Sequence, residues 1–147
     1  MDIYDTLRDD HKIIRNYLIE IDNLEDSKPE TRATLFGELQ VFLSAHAKAE
    51  EKVVYAELLK HKDAADLTRE GEVEHAVAET LLPVIAGLNP EDPYWRANFT
   101  VLREAVVHHL DEEEKELFRA AKRVLDTDTA EALGPRMDRQ REVLLGG

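Results

Sequence analysis

Leu43-Ser-Ala-His46-Ala-Lys-Ala-Glu50-Glu51 reads as the middle of a long helix. At 3.6 residues per turn, His46 and Glu50 share a face with Leu35, Leu39, Phe42 and Val53, so an imidazole and a carboxylate point into whatever that helix packs against. A buried carboxylate without a partner is costly or surrenders its charge. A chain that keeps one beside a histidine needs a cation there, and a metal ion is the natural candidate.

Outward from this stretch the chain is helical nearly throughout. The same helix opens at Ser27-Lys-Pro-Glu30, which has the form of a capping box with proline in the first turn, and it runs to about His61. Before it, a first helix over residues 2–24 carries Ile3, Leu7, His11, Ile14, Leu18 and Ile21 at steps of three and four. After a connection at 62–66, a third helix over 67–88 presents His75, Ala78, Leu82 and Ile85, with Pro83 expected to kink it. Asn89-Pro-Glu-Asp-Pro93 is a break that caps a fourth helix, running to about Arg123 on Phe99, Leu102, Val106, His109, Glu113 and Leu117. A shorter segment, 128–145, contains Leu133, Met137 and Val143 and is expected to be interrupted at Gly134-Pro135. Short loops between long amphipathic helices predict an all-α, up-and-down antiparallel four-helix bundle (core 2–124) with a short fifth C-terminal helix, all in one domain over 1–147.

The four helix midpoints fall at about residues 13, 45, 77 and 108, each within roughly 3 Å along the axis of His11, His46, His75 or His109. In an antiparallel bundle midpoints share a layer, so four imidazoles converge in the core, and Glu50 and Glu113 arrive with them. A lone histidine on an apolar face is ordinarily a hydrogen-bonded core residue. Four in one layer ask for a common partner, which again points to metal. His61 suits the end of the second helix, where a donor complements the helix dipole. His108 lies about 100° round from His109 and flanks the row. Glu51, Glu112 and Glu114 turn away from it and read as solvated. Tyr55 and Phe118 each lie nine residues after a histidine and read as core, with the phenol also able to donate a hydrogen bond near a metal.

Composition narrows the classes further. With no cysteine, disulfides, zinc–thiolate sites, iron–sulfur clusters and thiol catalysis are excluded. No run approaches the roughly 20 apolar residues of a membrane span, and the N-terminus lacks a leader pattern, so a cytoplasmic protein is expected. A net charge of −13, from 32 acidic and 19 basic residues, argues against nucleic acid or an anionic membrane as partner.

The combination His11, His46-x-x-x-Glu50, His75 and His109-x-x-x-Glu113, over about residues 3–124, resembles the hemerythrin-like (HHE cation-binding) domain family. The resemblance implies a non-heme di-iron site in a four-helix bundle: two iron ions (Fe2+/Fe3+), with His11, His46, His75 and His109 as terminal ligands and Glu50 and Glu113 bridging. The chain departs from the oxygen-carrying hemerythrins in two ways. Glu79 stands where they have a second histidine on the third helix, so either Glu79 is an additional ligand or a coordination position is open. The carboxylate after His109 follows at four residues, not five. Ferritin-like bundles use Glu-x-x-His on two helices, and only Glu72-Val-Glu-His75 matches here. No His-Glu-x-x-His, glycine-rich phosphate loop or serine-triad motif is present. The resemblance implies a module that binds or senses oxygen, nitric oxide or iron, signalling through a partner protein. The alternatives are an enzyme that reduces peroxide or nitric oxide, for which the sequence marks no catalytic residue, and a metal-free structural bundle.

Overall fold

The computed structural model describes residues 1–146. Five helical rods account for it: α1 (Ile3–Asn23), α2 (Pro29–Glu50, continued by a π-helical turn Glu51–Tyr55 and by Ala56–Leu58), α3 (Lys62–Ala86), α4 (Pro93–Glu112, continued by a π-helical turn Glu113–Leu117 and by Phe118–Val124) and α5 (Thr127–Leu144). No strand occurs among the described residues. Asp2 caps α1 by accepting from the backbone N–H of Asp5, Asp92 caps α4 through Tyr94, and Asp126 caps α5 through Thr129, each satisfying a donor that the first turn leaves free.

Two apolar clusters fill the bundle. One joins Ile3 and Leu7 of α1 to Val53 and Leu58 of α2, Ala64 of α3, Leu117 and Phe118 of α4, and Leu133 and Met137 of α5. The other joins Ile14, Leu18 and Ile21 to Phe36 and Leu39, Leu82 and Ile85, and Trp95, Phe99 and Leu102. The start of α1 thus meets the end of α2, the start of α3 and the end of α4, which is the signature of antiparallel neighbours. Between the clusters lies a buried polar layer of His11, His46, Glu50, His75, His109 and Glu113.

Several local expectations are corrected. Ser27 forms no capping box: Lys28 is the N-cap, without a side-chain bond, and the Ser27 hydroxyl turns back to Glu25. Pro29, fixed in φ at the first helical position, sets that boundary instead. The connection at 62–66 is already helix, because Ala64 and Ala65 bury against the core, and His61 is the N-cap residue of α3, not the last turn of α2. α3 runs through Pro83 unbroken and ends three residues later. α5 is likewise continuous through Gly134-Pro135. Glycine is required at 134 because a Cβ there would collide with the backbone of Met1 and Asp2. The core row of α2 is Phe36, Leu39, Leu43, His46 and Glu50, with Leu35 and Phe42 only half-buried, and Val143 of α5 is exposed.

Candidate metal centre

Each helix of the bundle places one imidazole in the polar layer. His11 and His46 are neighbours, with ring centroids 5.5 Å apart, and His75 and His109 form a second pair at 4.8 Å. Glu50 lies between the pairs, its Oε1 3.7 Å from Nε2 of His46 and 3.1 Å from Nε2 of His75. Glu113 does the same from the other side, 3.1 Å from Nε2 of His11 and 3.4 Å from Nε2 of His109. All six residues that the sequence brings to mid-helix therefore meet, in two groups that share Glu50: His11, His46, Glu50 and Glu113, and Glu50, His75 and His109. Glu79 stands apart, half-buried on the rim of a cavity beside His75 and in neither group. His61 is outside the layer and lies 3.6 Å from Glu57.

The other nitrogen of every ring is already engaged. Nδ1 of His46 is 2.7 Å from Asp10, Nδ1 of His75 is 2.8 Å from Glu51, Nδ1 of His109 is 2.7 Å from Glu74, and Nδ1 of His11 is 2.6 Å from Glu114. A carboxylate only accepts, so each Nδ1 carries a proton and Nε2 is the nitrogen turned inward, with its lone pair free wherever the ring is neutral. α1 thereby holds a ring of α2, α2 one of α3, α3 one of α4, and α4 one of α1. Hydrogen bonds to these rings keep Glu51, Glu74 and Glu114 below the usual carboxylate range, so they remain charged. Such outer carboxylates fix the orientation of a metal-binding imidazole and raise its basicity.

Sequence reasoning missed this outer ring and turned Glu51 and Glu114 toward solvent. Each Glu-Glu pair straddles the inner face: one carboxylate enters the layer and its neighbour reaches sideways to the ring of the next helix. The available signal was adjacency, since Asp10-His11, Glu50-Glu51, Glu74-His75 and Glu113-Glu114 are all consecutive. The π-helical turns, one beginning just after the inward Glu50 and the other at the inward Glu113, carry no sequence mark at all. Turns of this kind recur at functional sites.

Inside the layer the polar atoms are orphaned. Nε2 of His11, His46, His75 and His109, both carboxylate oxygens of Glu50 and Oε1 of Glu113 are buried without a hydrogen-bond partner. Left so, seven such atoms in one place would be severely destabilising. A cation among them satisfies all at once, and the donor set, imidazole nitrogen with carboxylate oxygen, suits a divalent transition metal. Protonation shows the same stress. Burial, followed by the charge of Glu113, drives Glu50 well above the usual range. Glu113 resists burial through its contacts with Glu50 and His11 and stays well below it. Burial lowers His46 and keeps its imidazole neutral. Burial also opposes charge on His11, but the approach of Glu113 and Glu114 outweighs it and raises His11 to about 9.

Tyr55 completes the layer. Its hydroxyl donates a 2.6 Å hydrogen bond to Oε2 of Glu113, and its ring stacks on His75 at 5.2 Å. Burial first, then the nearby charges of Glu113 and Glu50, hold the phenol well above its ordinary range, so it stays protonated. Gly71 makes the room: a Cβ at that position of α3 would lie 2.6 Å from the phenol oxygen.

The two halves are not equivalent. Arg141 of α5 lies 3.0 Å from Asp10, and Arg15 lies 2.8 Å from Glu114, so the His11–His46 half is sealed by guanidinium groups. Two small cavities touch the other half. One, about 20 Å³, is lined by Leu43, Ala78, Val106 and Leu110 with His75 and His109; a second of similar size adjoins Tyr55, His109 and Glu113.

Comparison with known proteins agrees with this picture. The chain is 30% identical over 131 residues to a DNA nickase of Nostoc sp., a match that takes in 89% of this chain but 36% of that protein, so the chain spans about a third of its relative's length. The crystal structure of a hemerythrin HHE cation binding domain-containing protein from Mycobacterium kansasii superposes with a TM-score of 0.87 at 24% identity, covering 99% of this chain and 88% of that one. Residues 2–121, which hold all six inward-facing groups, match the Hemerythrin HHE cation binding domain, and the chain belongs to that family.

Proposed function

We propose that the protein binds two iron ions in the polar layer and uses them to bind or sense a small molecule of the size of oxygen or nitric oxide. His11 and His46 would hold one ion, His75 and His109 the other, with Glu50 and Glu113 bridging. The observation that carries this reading is the set of four inward nitrogens, both oxygens of Glu50 and one of Glu113, all buried and unpartnered, while every outward Nδ1 is tied down. Two bridging carboxylates offset half the charge of two ferrous ions, and the outer carboxylates supply more.

Ligand size follows from the cavities. A space of about 20 Å³, walled by aliphatic side chains, admits one small molecule and favours an uncharged diatomic over a larger substrate. Glu79 lines the same cavity and belongs to neither ligand group, which supports reading its position as open to a small ligand. Tyr55 favours the second reading, reduction of peroxide or nitric oxide. Bound iron would supply electrons and Lewis acidity, and a protonated phenol beside Glu113 can deliver a proton to a reduced ligand. No action on DNA is carried over from the longer relative, because a chain of net charge −13 repels a phosphate backbone.

Anaerobic titration with Fe2+ tests the proposal, with an end point of two ions per chain expected. Exposure to oxygen, nitric oxide and peroxide then separates the readings. A stable oxygen or nitrosyl spectrum supports binding and sensing, turnover of peroxide or nitric oxide supports the enzyme, and an absence of iron uptake refutes both.

A further inference from the structure

The cleft between α3 and α4 is where the polar layer comes closest to the surface. Glu70, Glu74, Glu112 and Glu116 line its walls, and His109 and Glu113 form its floor. Glu113 is only 3% exposed; its Oε2 lies 3.4 Å from Nε2 of His109, a buried nitrogen with no hydrogen-bond partner. At the mouth stands the exposed His108. Its Nε2 is 2.9 Å from Glu112 and 3.8 Å from Glu74. The ligand atoms of these three side chains all lie within 4.8 Å of one another. Glu74 belongs to both levels: one oxygen faces His108 while the other holds Nδ1 of His109. On the far side of the bundle Arg15 and Arg141 occupy the corresponding carboxylates.

We propose that His108, Glu74 and Glu112 form an outer site for a divalent transition cation, and that this is the first stop of an ion on its way down the α3–α4 cleft to His109 and Glu113. One imidazole and two carboxylates suit Fe2+, Mn2+ or Zn2+, and their exposure leaves the remaining coordination positions to water, so the ion stays exchangeable. A cleft walled by one sign of charge also concentrates the counter-ion and speeds its capture. The delivery step, but not the outer site itself, rests on the reading that the polar layer takes metal.

Two measurements on the intact chain, with and without His108→Ala/Glu112→Gln, test this. Both substitutions fall on the surface side of α4, away from the apolar clusters. After the buried layer is loaded with Fe2+ under anaerobic conditions, Mn2+ followed by its electron spin resonance should report one further ion in the wild type and none in the double variant. Fe2+ uptake by metal-free protein at low ionic strength should slow about tenfold in the variant. The two proteins should converge as salt screens the cleft. Equal Mn2+ binding and equal uptake rates would overturn the outer site while leaving the buried centre intact. A wild type that takes up no Fe2+ but still binds one Mn2+, lost in the variant, would uphold the outer site and refute the buried centre.

Discussion

Glu114 lies 2.6 Å from Nδ1 of His11 across 103 residues of sequence, and this contact closes the circle in which each helix holds a ring of the next. It is the point at which the last helix of the bundle is tied to the first. Arg15 grips the same Glu114 oxygen at 2.8 Å, so the carboxylate keeps its place whether or not an ion sits beyond the imidazole.

Glu114→Gln and Asp10→Asn should therefore weaken metal binding by about 10–100-fold while leaving the number of ions per chain unchanged. Competition against a chelator of known affinity measures this. Wild-type affinity in both variants would mean that the outer carboxylates do not position the rings.

His46→Ala or Glu50→Ala should abolish tight iron binding, whereas His61→Ala should leave it untouched, since His61 stands at the start of α3 beside Glu57. Iron per chain after desalting distinguishes them, and equal retention by all three would discard the ligand set. The metal-loaded wild type should also outlast the metal-free form in denaturant, by about 2.7 kcal/mol per site at a free ion concentration a hundred times Kd.

The raised pKa of His11 has a definite sign. In metal-free protein its folded value of about 9 exceeds the ordinary 6.5, so its contribution to stability is fully present below about 6.5 and is lost as pH rises through about 9. A metal ion competes with that proton for Nε2. Zn2+ affinity should therefore climb with pH, by about tenfold per unit for one displaced proton, and the His11 contribution should level off near 9. Chelator competition at fixed ionic strength gives the profile, and a flat one between pH 6.5 and 9 would contradict this account.

Gly71→Ala should push the phenol of Tyr55 off Glu113 and destabilise the chain by about 1–3 kcal/mol, as overpacking of a dense core does. Tyr55→Phe removes the hydrogen bond without the clash. It should retain both ions and, in the double variant with Gly71→Ala, reduce the cost of the added methyl. A double-mutant cycle in urea measures the coupling, and additive effects would show that the two positions do not communicate.

Much of this was legible in the sequence. The rows of α1, α3 and α4 fell where periodicity placed them, because every third or fourth residue of those helices is either aliphatic or one of the inward polar groups. Convergence of His11, His46, His75 and His109 followed from helix length alone. The outer ring was hidden because Glu51 and Glu114 lie off the apolar stripe, and a stripe records which side of a helix is buried, not how far a long side chain reaches from its edge. The continuity of α5 was hidden for a related reason. Gly134-Pro135 reads locally as a break, and only the packing of Met1 and Asp2 against that point shows why the glycine is there.

The outer ring has a sense of rotation. On α1 and α3 the gripping carboxylate is the residue before the inward histidine, and on α2 and α4 it is the residue after the inward glutamate. Because alternate helices run in opposite directions, one step back on the first pair and one step forward on the second displace the side chain the same way round the bundle axis. A mirror-image circuit of the same four helices would bury the same aliphatic rows but leave Asp10, Glu51, Glu74 and Glu114 facing the wrong neighbours. Hydrophobic patterning is blind to that choice, and the chirality of the bundle is written in four carboxylates.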